Sequence, residues 1–316
     1  MRPRIVMLLA FIIAAVAVGF TGARFTLLPT PTPAVQGPLP DKRASYLGVF
    51  ETNAPPSYGP IAEFANAVGR QPNLVGYYSG WAQAFPTSFA DLVHRRGLTL
   101  FVQIDPEFAS VSAIASGAYD TYLRTYADAV RDFHYRVVIG FGHEMNATWY
   151  SWGYTHTAPA TFVAAWQHIV TVFREEGASN VTWLWTIQAD ENNKWPIAAW
   201  WPGANYVNWV GIDGYYLHPT DTFQTVFVPT IHQVQTLTDK PVLLSETAVT
   251  PHGNQYDNIL NLFIGMRQYN TLGLVWFDED QKGSIDRQDW RIEGNTVATS
   301  AFRYGVSNLS LVSNRP

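Results

Sequence analysis

His143 and Glu144 stand side by side in the stretch GFGHEMNATWYSWG, residues 140 to 153, with Trp149, Tyr150, Trp152 and Tyr154 close behind them. An imidazole next to a carboxylate can ligate a metal, move a proton, or form a structural pair. A zinc protease needs a second histidine four residues after the first, on a helix. Position 147 is alanine, and the segment reads as the end of a strand. A serine hydrolase needs Gly-x-Ser-x-Gly, yet in GYYSGW Ser79 falls three residues after Gly76. Proton chemistry remains, and it calls for a second acid. Glu246, in LLSETAVTP, closes another apolar run in the same way.

Those two runs belong to a regular series. Eight short, almost continuously apolar segments begin near Tyr46, Asn73, Leu98, Arg136, Asn180, Val207, Pro241 and Leu272. Strands covered on both faces have this composition. Amphipathic stretches fill most gaps: PIAEFANAVGR, with Pro60 in a first-turn position, then DTYLRTYADAVRDF, TFVAAWQHIVTVF and YDNILNLFIGMRQY. The gap after the fifth strand is rich in Trp and Pro, which predicts a short or irregular helix. Eight alternations across residues 44 to 307 predict a (β/α)8 TIM barrel, a fold of ~250 residues, as a single catalytic domain. A doubly wound sheet is the runner-up, but GFGHEM has Met145 where its third glycine belongs. In the barrel, strand ends converge on one mouth. Glu144 is read as ending strand four and Glu246 as ending strand seven. Two carboxylates facing each other in an aromatic-lined mouth are the equipment of glycoside hydrolysis.

Composition excludes other classes. Only 14% of the residues are charged, the net charge is −5, and 15% are aromatic. That balance provides no footprint for nucleic acid, whereas flat rings suit the apolar faces of sugars. There is no cysteine, so a large core rather than disulfides must hold the fold. Arg2 and Arg4 precede an apolar run from Ile5 to Phe20 and small residues at 21 to 23. Residues 1–23 are therefore read as a secretory signal peptide or, if uncleaved, a membrane anchor. Either way the rest of the chain is expected outside the cell or on its surface, acting as a monomer. Residues 24–43, with five prolines between 27 and 42, are expected to form a stiff linker ahead of a domain spanning 44–316.

HEMNATWYSWG resembles the acid/base segment of glycoside hydrolase family 26, which contains β-mannanases with some β-1,3-1,4-glucanases and xylanases. WWPGANYVNWVGIDGYY, LLSETAVTP, LVWFDED and DWRI follow in that family's order. The resemblance implies a retaining, cofactor-free and metal-free hydrolase of β-linked polysaccharide. In it Glu144 is the general acid/base and Glu246 the nucleophile. It implies that His143 touches the sugar or the nucleophile, and that Tyr215 donates to Glu246. Trp149 and Trp276 would be stacking walls, with Trp81, Trp152 and Asp213 as further binding residues. Two departures weaken any transfer of specificity: Gly140 stands where many relatives carry Arg, and Ala147 where many carry Gly. Asp105 and Glu107, in QIDPEF, reach the mouth without an assigned role. An endo-β-1,4-mannanase is the leading expectation; a glucanase or xylanase of the same family, or a non-catalytic carbohydrate-binding barrel, are the alternatives.

Overall fold

The structure is a computed structural model that describes residues 34–189, 196–281 and 288–312. Eight parallel strands close on themselves in chain order. They are β1 (Tyr46–Glu51), β2 (Leu74–Gly80), β3 (Thr99–Asp105), β4 (Val137–Phe141), β5 (Val181–Gln188), β6 (Trp209–Asp213), β7 (Val242–Thr247) and β8 (Gly273–Asp278). Nine helices lie around them in the described residues: α1 (Gly59–Val68), α2 (Thr87–His94), α3 (Val111–Ala115), α4 (Asp120–Phe133), α5 (Pro159–Glu175), α6 (Phe223–Val226), α7 (Val228–Leu237), α8 (Gln255–Gln268) and α9 (Thr296–Ser307). The expected barrel is the observed one. After β5 only a short 3-10 turn, Ala198–Trp200, is described, as the Trp- and Pro-rich gap predicts.

Alternation along the strands sorts the core into two parts. Tyr46, Leu74, Phe101, Val138, Leu184, Trp209, Leu243 and Val275 fill the barrel interior. Leu47, Val49, Val75, Val102, Ile139, Leu244, Leu274 and Trp276 face the helices. Large side chains at the base are offset by glycine one layer higher. A Cβ on Gly48 would lie 2.7 Å from Val275 Cγ2, and one on Gly140 would lie 1.9 Å from Gln103 Oε1.

Two boundaries differ from expectation. Strand β4 stops at Phe141, so His143 and Glu144 lie in the turn beyond it. Residues 34–43 have no helix or strand, as their prolines dictate, but they are docked beneath the barrel. Leu39 is buried in the interior cluster, and its N–H donates to Thr182 Oγ1 at 2.7 Å. Asp41 accepts the Trp209 indole N–H at 2.6 Å, and Tyr46 donates to the Pro40 carbonyl at 2.6 Å. A barrel has an open base, and this segment caps it. Residues 1–33, which hold the expected signal or anchor and the first part of the linker, lie outside the described residues. Among the described residues no helix is long and apolar enough to cross a membrane.

A chain beginning at residue 44 should therefore melt below one beginning at residue 34. Loss of the Leu39 contact and of two or three hydrogen bonds corresponds to a shift on the order of 5–10 °C. Equal melting temperatures in calorimetry would show that the cap adds nothing.

Candidate active site

A local irregularity in β7 aims Glu246 into the barrel. Along β6 and β7 Gly211 pairs with Leu243, but Asp213 pairs with Glu246, so β7 carries one extra residue. The same excess appears against β8, where Leu244 pairs with Leu274 and Thr247 with Trp276. Strict alternation would send Glu246 outward with Leu244; the bulge turns Ser245 and Glu246 both toward the inside. Ser245 Oγ then donates to Asp213 Oδ1 at 2.5 Å below the mouth.

Glu246 is half-buried and accepts two phenolic hydroxyls. Tyr215 donates to Oε1, as expected, and Tyr78 donates to Oε2. Burial pushes this carboxyl up to about 8, while hydrogen bonds given to its charged form act in the opposite sense. The two tyrosines belong to an arc of rings. Phe50 meets Tyr78 edge-on at 5.3 Å and stacks on Phe277 at 4.8 Å, and Phe277 meets Tyr215 at 5.9 Å. Trp290 closes the arc, 5.2 Å from Tyr215.

Glu144 is presented from the turn after β4. Its φ is +51°, and that of Gly142 is +54°. A glutamate in the left-handed region stores strain of the order of 1 kcal/mol or more. The conformation is held by its own N–H bonded to the Thr186 carbonyl at 3.0 Å. Trp149 Nε1 donates to Glu144 Oε2 at 2.9 Å, while its ring remains 58% exposed. Burial raises the Glu144 pKa; His143 and the Trp149 N–H pull it back, and Asp105 adds to the rise.

His143 is clamped. Nδ1 donates to Asp105 Oδ1 at 2.8 Å, and Nε2 lies 3.0 Å from the Tyr150 hydroxyl. Burial opposes its charge, yet Asp105, then Glu144 and Asp213, outweigh that and lift it to about 9. Asp105, unassigned from sequence, is thus the partner of an imidazolium. The His143 ring packs 4.9 Å from Tyr78 and has no hydrogen bond to Glu246, so it supports the tyrosine that does. Asp213 is fully buried, and its pKa is raised by burial and by Glu144.

Two of the expected binding residues, Trp276 and Trp152, are buried, and a third, Trp81, is partly buried. Trp276 is wholly buried against Phe302 on the helix side, with its indole N–H on the Trp290 carbonyl. It follows an inward residue, Val275, so it must face outward, and Phe277 takes the inward place. Trp152 is 3% exposed, stacks on Tyr150 at 4.3 Å and donates to the His143 carbonyl; it is a strut of the turn. Trp81, partly buried just beyond β2, packs against Tyr119, Tyr122 and Phe141. Glu107 is exposed on the β3 loop, next to the fully exposed Phe108, whose φ is +60°. Sequence reading missed Phe50, Tyr78 and Phe277, although inward parity at the ends of β1, β2 and β8 singles out all three.

The arrangement offers two carboxyls at one mouth: one with both oxygens accepting O–H bonds, the other with a single N–H donor. No histidine, cysteine or further acid joins them at metal-ligand spacing among the described residues.

Comparison with known proteins agrees with this chemistry. The sequence model described as glycosyl hydrolase family 26 matches residues 115–259, a span that includes both glutamates. Endoglucanase H of Acetivibrio thermocellus is 29% identical over 268 residues, covering 79% of this chain and 29% of that protein. Mannan endo-1,4-beta-mannosidase A and B of Caldalkalibacillus mannanilyticus is 29% identical over 84 residues, 24% of this chain and 16% of that one. The chain thus spans less than a third of the length of either relative. Among solved structures, a family 26 beta-mannanase from Bacteroides ovatus is similar with a TM-score of 0.62 at 15% identity, covering 86% of this chain and 91% of that one. A modular endo-beta-1,4-mannanase from Cellulomonas fimi gives 0.66 at 16% identity, covering 86% and 73%. At such identities the two structures show a shared fold.

Removing one phenol from Glu246 should leave the fold intact and misplace a reacting group. Tyr78→Phe and Tyr215→Phe should each lower kcat by roughly tenfold or more on a β-linked glycan, with smaller changes in KM. The double variant should also move the acid limb of the pH profile upward, because both donors favour the charged carboxylate. A Tyr78→Phe enzyme with unchanged kcat and pH profile would remove that residue from the site.

Proposed function

We propose that the chain is a glycoside hydrolase of family 26, in keeping with the family model and relatives it matches, and that it cleaves β-linked polysaccharide by double displacement, with Glu144 as acid/base and Glu246 as nucleophile. The observation that carries this reading is the unequal hydrogen bonding of the two carboxyls. Both Glu246 oxygens accept phenolic protons, which suits a carboxylate. Glu144 has a donor only on Oε2, leaving Oε1 to hold a proton.

In the first step the Glu144 proton passes to the departing glycosidic oxygen as a Glu246 oxygen attacks C1. The C1–O bond breaks, and a covalent glycosyl-enzyme forms through an oxocarbenium-like transition state. Glu144, now ionised, takes a proton from water as that water attacks C1 and releases Glu246. The two carboxyl groups of a retaining enzyme lie ~5–5.5 Å apart. His143, charged and held by Asp105, keeps positive potential under the site without itself titrating at neutral pH. Trp149, half in solvent and fixed at its N–H, offers a stacking face beside the acid.

The substrate we propose is a β-1,4-mannan attacked internally, in keeping with the mannanases among the relatives. A β-glucan is the second reading, because the relative with the longer match is named an endoglucanase. The polymer cannot cross a membrane, so the basic and apolar N-terminal segment supports action outside the cell.

The two glutamates should fail differently. Glu246→Ala should leave polysaccharide and dinitrophenyl β-glycosides uncleaved. Glu144→Ala should lose roughly 10²–10⁴-fold on polysaccharide but still load from the dinitrophenyl glycoside, whose leaving group needs no proton. Azide should then accelerate turnover and yield a β-glycosyl azide. Equal loss in both variants on every substrate, with no response to azide, would collapse the assignment. Reducing-sugar release from mannan, galactomannan, mixed-linkage β-glucan and xylan by the wild type decides the polymer; release from none of them would favour a binding barrel.

A further inference from the structure

Glu51 is the last residue of β1 and Asp278 the last of β8, and the two are paired in register where the barrel closes. By alternation with Val49 and Trp276 they turn away from the mouth, toward the helix layer. Glu293 joins them from the loop that leads into α9. One oxygen from each of the three carboxyls lies within 4.8 Å of the others. That is the separation of ligands sharing one Ca²⁺ at ~2.3–2.6 Å. Asp278 is held in place by the Ile292 N–H on Oδ1 at 2.7 Å, which leaves Oδ2 for the cluster. Asp278 Oδ2, Glu51 Oε1 and Glu293 Oε1 are all buried and receive no N–H or hydroxyl donor, so what they face is one another. Glu51 is 8% exposed and Asp278 2%. We propose that Glu51, Asp278 and Glu293 bind one calcium ion, which clips the seam between β1 and β8 to the loop preceding α9.

The surrounding charges leave that role open to a cation. Glu63 on α1 and Glu279 after β8 add negative potential to Glu51. Arg291 is near enough to feel Asp278, but its guanidinium is already bonded to Asp289 and Asp280. No described lysine or arginine forms an ion pair with the three acids. Burial and the crowding of like charges both oppose three ionised carboxyls here, a cost that a bound cation offsets. Three carboxylates with no nitrogen or sulfur donor form a hard oxygen set, which favours Ca²⁺ over Zn²⁺. Two rigid strand ends and a loop suit the loose geometry of calcium better than the strict octahedron of magnesium. The loop so tied also carries Trp290, which packs on Tyr215. A bound ion would thus steady one edge of the site without touching substrate.

The test is independent of glycan cleavage. The full chain is stripped with EDTA, dialysed, and melted with and without calcium chloride at pH 7.5, with magnesium and zinc chlorides as controls. Calcium at about a hundredfold excess over its Kd should raise Tm by roughly 5–10 °C, and calorimetric titration should count one site. Asp278→Asn and Glu51→Gln should lose that rise. In EDTA both variants should melt at or above the wild type, because each replaces one of three crowded carboxyls with an amide that never ionises. No calcium-dependent change in wild-type Tm, or an equal rise in Asp278→Asn, would overturn the proposal and leave shared protons as what holds the cluster.

Discussion

One extra residue in β7 governs the mouth of this barrel. Without the bulge, alternation would bury Glu246 between barrel and helices alongside Leu244. With it, Ser245 and Glu246 both turn inward, and each finds a partner on or just beyond β6: Asp213 for the serine, Tyr215 for the glutamate. The bulge lies between two pairings that are regular below it, so the distortion is confined to the top of the barrel. The base stays a close-packed plug of Tyr46, Phe101, Trp209 and their neighbours. Precision above depends on rigidity below, because a carboxylate held by two phenols can be no better placed than the strands that carry them.

The second carboxyl is controlled by a different device. Glu144 lies in a turn at positive φ, a conformation its own side chain disfavours, and the turn is kept in place from several directions. Asn146 exchanges hydrogen bonds with the Gln188 backbone at 2.8 and 2.9 Å, Trp152 holds the His143 carbonyl, and a side chain on Gly142 would crowd Phe162 and Trp152. His143 adds a buried positive charge among three acids, Asp105, Glu144 and Asp213. That charge offsets part of the repulsion between Glu144 and Asp213, which would otherwise oppose placing so many carboxyls together.

Much of this was legible in the sequence, and the misses have physical causes. Strand rhythm alone is enough for the barrel, since eight apolar runs bounded by helical periods have few other solutions. The two glutamates are legible as charged residues that close such runs. The errors concern orientation. Trp276 looks like a sugar platform by its type, yet strand parity sends it outward and puts Phe277 in the mouth. Trp152 belongs to an aromatic cluster in sequence but is consumed as a brace for the turn. Tyr78 is legible as an inward residue at the end of β2, but no local pattern pairs it with a carboxylate 168 residues away. The β7 bulge leaves no mark in LLSETAVTP that a period-two reading could detect.

The departure at Gly140 shows how the interior limits what the mouth can recognise. A side chain there would meet Gln103 Oε1 and the Leu184 carbonyl at once. Gln103 occupies the vacated space and donates to Thr186 Oγ1 at 2.7 Å, within the barrel and one layer below the turn that carries Glu144. The same Thr186 accepts the Glu144 N–H through its backbone carbonyl. Gly211 completes the packing, since a Cβ on it would strike both Ser245 and Thr186. An arginine at position 140 therefore requires Gln103 to move aside, at the cost of its hydrogen bond to Thr186. Gly140, Gln103, Thr186 and Gly211 form one interlocking unit under the site, and the polar layer they build ties the position of Glu144 to that of Ser245 and hence to the bulge that aims Glu246.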